Sequence, residues 1–97
     1  MDESSLEPWD PMIVAPRLAA VREAIGLKRA EMADILRLDR SSYTKVEDGK
    51  KPLLPREAFR LWKLYGVDMN FIYGGHVGGL PADLSKKVIS HLNGENK

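Results

Sequence analysis

The stretch "DRSSYTKVEDGKK", residues 39–51, sets Arg40, Ser41, Ser42, Thr44 and Lys45 around only two large apolar residues, Tyr43 and Val46. These polar types share one chemistry, the reading of base-pair edges. An arginine pairs bidentately with O6 and N7 of guanine, serine and threonine hydroxyls donate to or accept from either base pair, and lysine reaches base acceptors or phosphate. Tyr43 and Val46 lie three residues apart, so one narrow apolar stripe fixes a helix here and leaves most of its surface standing away from the body. A helix mounted that way suits a groove about 12 Å wide, the width of the B-DNA major groove. Its N-terminus adds backbone N–H groups that favour a phosphate. A solvated amphipathic helix would show the same polar face, so the stretch has to be read with the elements around it.

Those elements are helical throughout. Asp39 can cap a helix over residues 40–48 by accepting orphan backbone N–H groups, and Gly49 ends it. A helix over 29–36 precedes it, with Met32, Ala33, Ile35 and Leu36 facing inward, and "RLDR" breaks the two. Pro16 is placed as the first residue of an opening helix over 16–25, with Leu18, Val21 and Ile25 at helical spacing and Gly26 as its stop. After the loop "KKPLLP", Ala58, Leu61, Trp62 and Tyr65 recur at i, i+3, i+4 and i+7 in a helix over 55–65. With Phe59 and Leu64 beside them, this is the most apolar helix, and Phe59 and Trp62 are expected in the core. Asp68 can cap a short helix through Tyr73, with Val67 and Ile72 as a hydrophobic staple. "GGHVGG" reads as a flexible linker, and residues 81–92 form a last helix with Leu84, Val88 and Leu92 in line. That line either packs back on the domain or offers a dimer surface. No strand pattern or internal repeat emerges, so the fold class is all-α.

Composition bounds the function. A chain of 97 residues makes one domain with a tail at each end and a modest core. There is no cysteine, hence no disulfide or thiolate metal site, and no cofactor is called for. Net charge is only +1, but residues 1–15 carry four acids (Asp2, Glu3, Glu7, Asp10) and no base, whereas residues 16–66 carry twelve Lys/Arg against seven Asp/Glu. Positive charge concentrated in the middle points to an anionic partner. The first fifteen residues read as a flexible acidic arm in which Trp9, Met12 and Ile13 can dock. The N-terminus does not resemble a signal peptide, and no apolar run reaches the roughly 18 residues of a membrane span, so a soluble cytoplasmic protein is expected. An enzyme is not. His76 and His91 lie outside the expected packed helices without a carboxylate cluster, and no P-loop, HExxH or nucleophile elbow is present.

The string "GLKRAEMADILRLDRSSYTKVEDGKK" resembles the helix-turn-helix of the Cro/cI repressor family, also called the XRE family. Gly26, Leu27, Ala33, Val46, Glu47 and Gly49 fall in its register without a gap, while Met32 and Tyr43 replace the usual Leu and Ile or Val. "YGVDMNFIYGG" is similar to that family's closing segment, so the resemblance spans roughly residues 16–75. It implies a compact five-helix lambda-repressor-like DNA-binding domain, here followed by a glycine linker and a C-terminal helix over residues 76–97. By position it implicates Arg40, Ser41, Thr44 and Lys45 in base reading. Lys28, Arg29, Lys50 and Lys51 become candidates for phosphate contacts, as does the Tyr43 hydroxyl. It also implies an ion pair between Arg22 and Glu47. Three further residues depart from the family pattern in ways that matter. Lys28 stands where a Ser/Thr cap is usual, forgoing about 1 kcal/mol of capping, and its ammonium is favourable there only beside a bound phosphate. Arg29 replaces Gln, and Arg37 occupies a turn position where Gly is common. If that turn is left-handed, Arg37 costs on the order of 1 kcal/mol.

The function implied is a small phage, prophage or bacterial transcriptional regulator, a repressor that occupies a promoter as a homodimer on a pseudo-palindromic double-stranded operator. One helix reads too few base pairs to select a site, whereas two-fold copies about 34–36 Å apart read enough. The competing reading is a protein-interaction adaptor, or the antitoxin of a toxin–antitoxin pair, built on the same fold.

Overall fold

A computed structural model describes residues 6–94, so Asp2 and Glu3 of the acidic segment lie outside the described residues. Six α-helices follow one another among these residues: α1 (Pro11–Ile25), α2 (Arg29–Leu36), α3 (Arg40–Glu47), α4 (Pro55–Tyr65), α5 (Met69–Gly74) and α6 (Ala82–Leu92). No strand occurs among them, and a one-turn 3-10 helix, Val77–Gly79, links α5 to α6. Each start has a local cause. Asp39 accepts from the Ser42 N–H at 2.7 Å and Asp68 from the Phe71 N–H at 2.9 Å, so α3 and α5 begin on carboxylate caps. α2 lacks a side-chain cap from Lys28. Its orphan donor is met from within, because the Glu31 carboxylate reaches back to the Lys28 N–H at 2.8 Å.

The core gathers one stripe from each helix: Leu18 and Val21, Met32 and Leu36, Tyr43 and Val46, Ala58 and Leu61, Phe71 and Ile72, and Val88. The helix-turn-helix pair α2–α3 packs on α1, α4 packs on α2 and α5, and α6 lies along α1. No buried side-chain nitrogen or oxygen among the described residues lacks a partner.

Four features differ from the reading of the sequence. The first helix begins at Pro11, not Pro16. Asp10 caps it by accepting from the Met12 N–H, Pro11 takes the first turn, and Pro16 lies inside at an exposed position. There the proline only frees a solvent-side carbonyl, which water can satisfy. The acidic segment therefore runs directly into a helix, and the Pro11 carbonyl and Met12 pack so closely on Gly49 (φ 80°) that a side chain at Gly49 would meet the Met12 backbone. Secondly, Phe59 and Trp62 are not core residues. Both are about half exposed, because α4 turns Glu57, Ala58 and Leu61 inward and nothing in this small domain covers its far side. Thirdly, the glycine-rich stretch is not a free linker but a 3-10 turn, in which Gly79 leaves room for the Asp68 carboxylate. Finally, His91, on α6, comes within 3.4 Å of the Glu23 carboxylate rather than lying outside the packed helices. Of the two readings left open for the line of Leu84, Val88 and Leu92, packing back is the one seen: α6 lies on α1 through buried Val88 and partly buried Leu84.

Arg37 is the described non-glycine residue with positive φ (59°), the left-handed link between α2 and α3. Arg37→Gly should raise the unfolding free energy by about 0.5–1 kcal/mol, the left-handed penalty less glycine's extra chain entropy. Urea unfolding checks it, and a loss of stability would show that the Arg37 side chain contributes more than its backbone costs.

Candidate nucleic-acid interface

α3 is only eight residues long, too short to be stable alone, and its posture is set by three inward side chains, Tyr43, Val46 and Glu47. Glu47 is the most heavily engaged. Its buried carboxylate accepts bidentately from Arg22 of α1, Nε to Oε2 and Nη2 to Oε1, each at 2.9 Å. The Tyr43 hydroxyl donates a hydrogen bond to it, and Arg29 Nε of α2 lies 3.2 Å from Oε1. Arg22 also donates Nη1 to the Leu27 carbonyl at 2.9 Å, tying the α1–α2 turn into the same cluster. The charges reinforce one another. Burial works against ionising Glu47, but the Arg22 and Tyr43 hydrogen bonds outweigh it and hold the carboxyl below its ordinary range. Burial together with the bond to Glu47 pushes the Tyr43 phenol far above its ordinary value, so it stays a neutral donor. Hydrogen bonding to Glu47 raises Arg22 against the opposing effect of burial.

This placement corrects one expected role. Tyr43 is fully buried and its hydroxyl is committed to Glu47, so it is not presented to a phosphate. The other residues named for binding are at or near the surface. Arg40, Ser41 and Lys45 are exposed on α3 and Thr44 is half-buried. Lys28 and Arg29 are exposed at the start of α2, and Lys50 and Lys51 on the loop after α3. Arg29 is not loose there. Besides Glu47, its Nη1 comes within 3.5 Å of Asp48, which joins the start of α2 to the end of α3. At the other end of α3 the Ser41 hydroxyl donates to Asp39 at 2.9 Å, so in this state it offers its lone pairs rather than its proton. The Ser42 amide, the Ser41 and Ser42 hydroxyls and nearby Lys51 hold the Asp39 carboxyl below its ordinary value. Sequence reasoning missed Asp48 and Glu31. Glu31 had a visible signal, a glutamate three residues after the cap position, whereas nothing in the sequence marks Asp48 as a partner of Arg29.

The arrangement presents a short polar helix, backed by a rigid ion-pair cluster and flanked by cations on the preceding helix and the following loop. It can offer hydrogen-bond donors to base edges and positive charge to phosphates on either side. The cluster also has a pH signature. Glu47 sits below its ordinary value of 4.5, so the stability it contributes is fully present above about pH 4.5 and is lost as pH falls through the depressed value. Glu47→Ala strands Arg22 and should cost about 3–5 kcal/mol at neutral pH. Glu47→Gln should lower the neutral melting temperature and flatten its acid decline. A Glu47→Gln melting profile running parallel to that of the parent protein would exclude the pair as its source.

A family model described as a helix-turn-helix domain matches residues 14–70, more than half of the chain, including α2, α3 and α4 and most of α1. No curated protein and no solved structure matches the chain. A domain of this kind suggests a regulator that binds double-stranded DNA. The chain belongs to this helix-turn-helix domain family, one of the XRE-like group.

Proposed function

We propose that the protein is a sequence-specific transcriptional regulator that reads the DNA major groove with α3. One observation carries this reading. α3 turns Tyr43, Val46 and Glu47 inward and leaves Arg40, Ser41 and Lys45 exposed, with Lys28, Arg29, Lys50 and Lys51 exposed on the elements beside it. A solvated helix has no need of that surround. Phosphates bound near the start of α2 would also favour the Lys28 ammonium, a charge otherwise unfavourable at a helix N-terminus. Arg40 is assigned to a guanine edge, with Ser41, Thr44 and Lys45 as further base contacts. Lys28, Arg29, Lys50 and Lys51 are assigned to phosphates.

The protein acts in the cytoplasm as a binding protein, not an enzyme, and as a homodimer on a pseudo-palindromic operator of Cro/cI type. Repression follows from occupying a promoter. The aromatic surface of α4 favours some protein contact as well, but an adaptor or antitoxin would not need the outward residues of α3.

Binding isotherms on the preferred duplex, at several salt concentrations, separate the roles. Arg40→Ala should cost about 1–3 kcal/mol and relax preference at one base pair of each half-site. Arg29→Ala should weaken all duplexes alike and reduce the salt slope by about one unit per half-site. Unchanged affinity and sequence preference in Arg40→Ala would remove α3 as the reader.

A further inference from the structure

α4 carries a surface that the DNA-binding reading does not use. Phe59 (48% exposed) and Trp62 (52% exposed) lie three residues apart with their ring centroids 5.6 Å from one another, and Leu64 is 52% exposed. Arg56, Arg60 and Lys63 follow at i, i+4 and i+7 on the adjoining stripe, while the helix's one acid, Glu57, is buried with a carboxylate oxygen on the Leu54 N–H. Arg37 joins them from the α2–α3 turn. Together Leu36, Arg37, Arg56, Phe59 and Arg60 line a groove of about 520 Å³, continued by about 230 Å³ alongside Lys63 and Leu64. The surface is aromatic and wholly cationic in its exposed charge on α4.

The complementary chemistry occurs elsewhere on the same chain. The segment entering α1 exposes Trp9 (62%) and Met12 (65%) beside Glu7 and Asp10, with no base before Arg17. We propose that a second copy of this chain docks on the outer face of α4, and that its acidic, aromatic N-terminal segment is the part that seats there. Two α4 faces meeting each other would instead bring Arg37, Arg56 and Lys63 of both copies into one interface with no acid to offset them but the buried Glu57, while Arg60 is partly withdrawn on the Ile35 carbonyl. Acid against base and aromatic against aromatic satisfies both patches, and two-fold symmetry lets each copy give one contact and receive one. Taking about 200 Å² for each of these five apolar side chains, their exposed fractions amount to roughly 550 Å² per copy and about 1,100 Å² across the dimer. That reaches the roughly 1,000 Å² a specific interface needs. The inference rests on the operator reading for its motive, since two half-sites require two copies, but not for its surface chemistry.

Sedimentation equilibrium of the full chain without DNA tests it. The parent protein should be dimeric, with association weakening as salt rises. Trp9→Ser and Trp62→Ser, each at a position more than half exposed and each checked for retained helical signal, should each weaken dimerisation about thirtyfold. Mixed together, the two variants should associate more tightly than either alone, because one of the two contacts is then fully intact. Lys63→Glu should weaken association in the same way and be rescued by Glu7→Lys in the partner. A monomeric parent protein, a dimer indifferent to Trp9→Ser, or a mixture no tighter than its components would overturn the proposal. Because no DNA is present, these failures leave α3 as reader untouched. Lost sequence preference in an intact dimer would overturn that reading instead.

Discussion

The buried carboxylate of Glu47 is the constraint on which this fold turns. It collects hydrogen bonds or ion contacts from Arg22 on α1, Arg29 on α2 and Tyr43 on its own helix, and Arg22 extends the cluster to the turn before α2. α3 buries too little apolar surface to hold itself, and α2 is equally short. With the charges paired and every buried side-chain nitrogen and oxygen among the described residues satisfied, the cluster fixes the angle between them. Unpaired, the same carboxylate would be among the costliest groups in the domain. On the proposed reading, a surface that meets a rigid duplex needs this kind of backing, since α3 cannot supply its own.

The same economy governs the edges of the site. Lys28 is a poor cap, and the structure compensates with Glu31 from inside the helix, leaving the ammonium outside and available. Asp39 is held ionised by the amide and hydroxyls that it organises at the start of α3. That puts one negative charge at the start of α3, balanced by Lys51 nearby. Arg29 is steered by Glu47 and Asp48, so its guanidinium is held in place before any ligand arrives. Ordering these side chains in advance lowers the entropy cost of binding.

Most of the helical plan could be read from periodicity, caps and glycine stops, because α2 through α5 each have a clear apolar stripe and a local terminator. The start of α1 could not, since Pro11 and Pro16 both qualify as first-turn residues and only the Asp10 cap and solvent exposure at Pro16 decide between them. The facing of α4 is hidden for a different reason. Its sequence is apolar around more than one side, and period alone does not say which side meets the core. Phe59 and Trp62 look like core until Ala58 and Leu61 are seen to take that place. The surface candidates on α3 and its flanks followed from residue type and register. Tyr43 did not, because its partner Glu47 lies four residues on along the same helix, and only burial shows that the hydroxyl is spoken for. The pairing of Arg29 with Asp48 has no sequence signal at all, unlike that of Arg22 with Glu47, which the family resemblance implies.

Selection from a random double-stranded DNA library by the purified protein, at near-physiological salt, tests the account of α3 most directly. The account predicts enrichment of one pseudo-palindrome whose half-sites are about one helical turn apart. Salt-sensitive retention with no enriched sequence, or no retention, would contradict it.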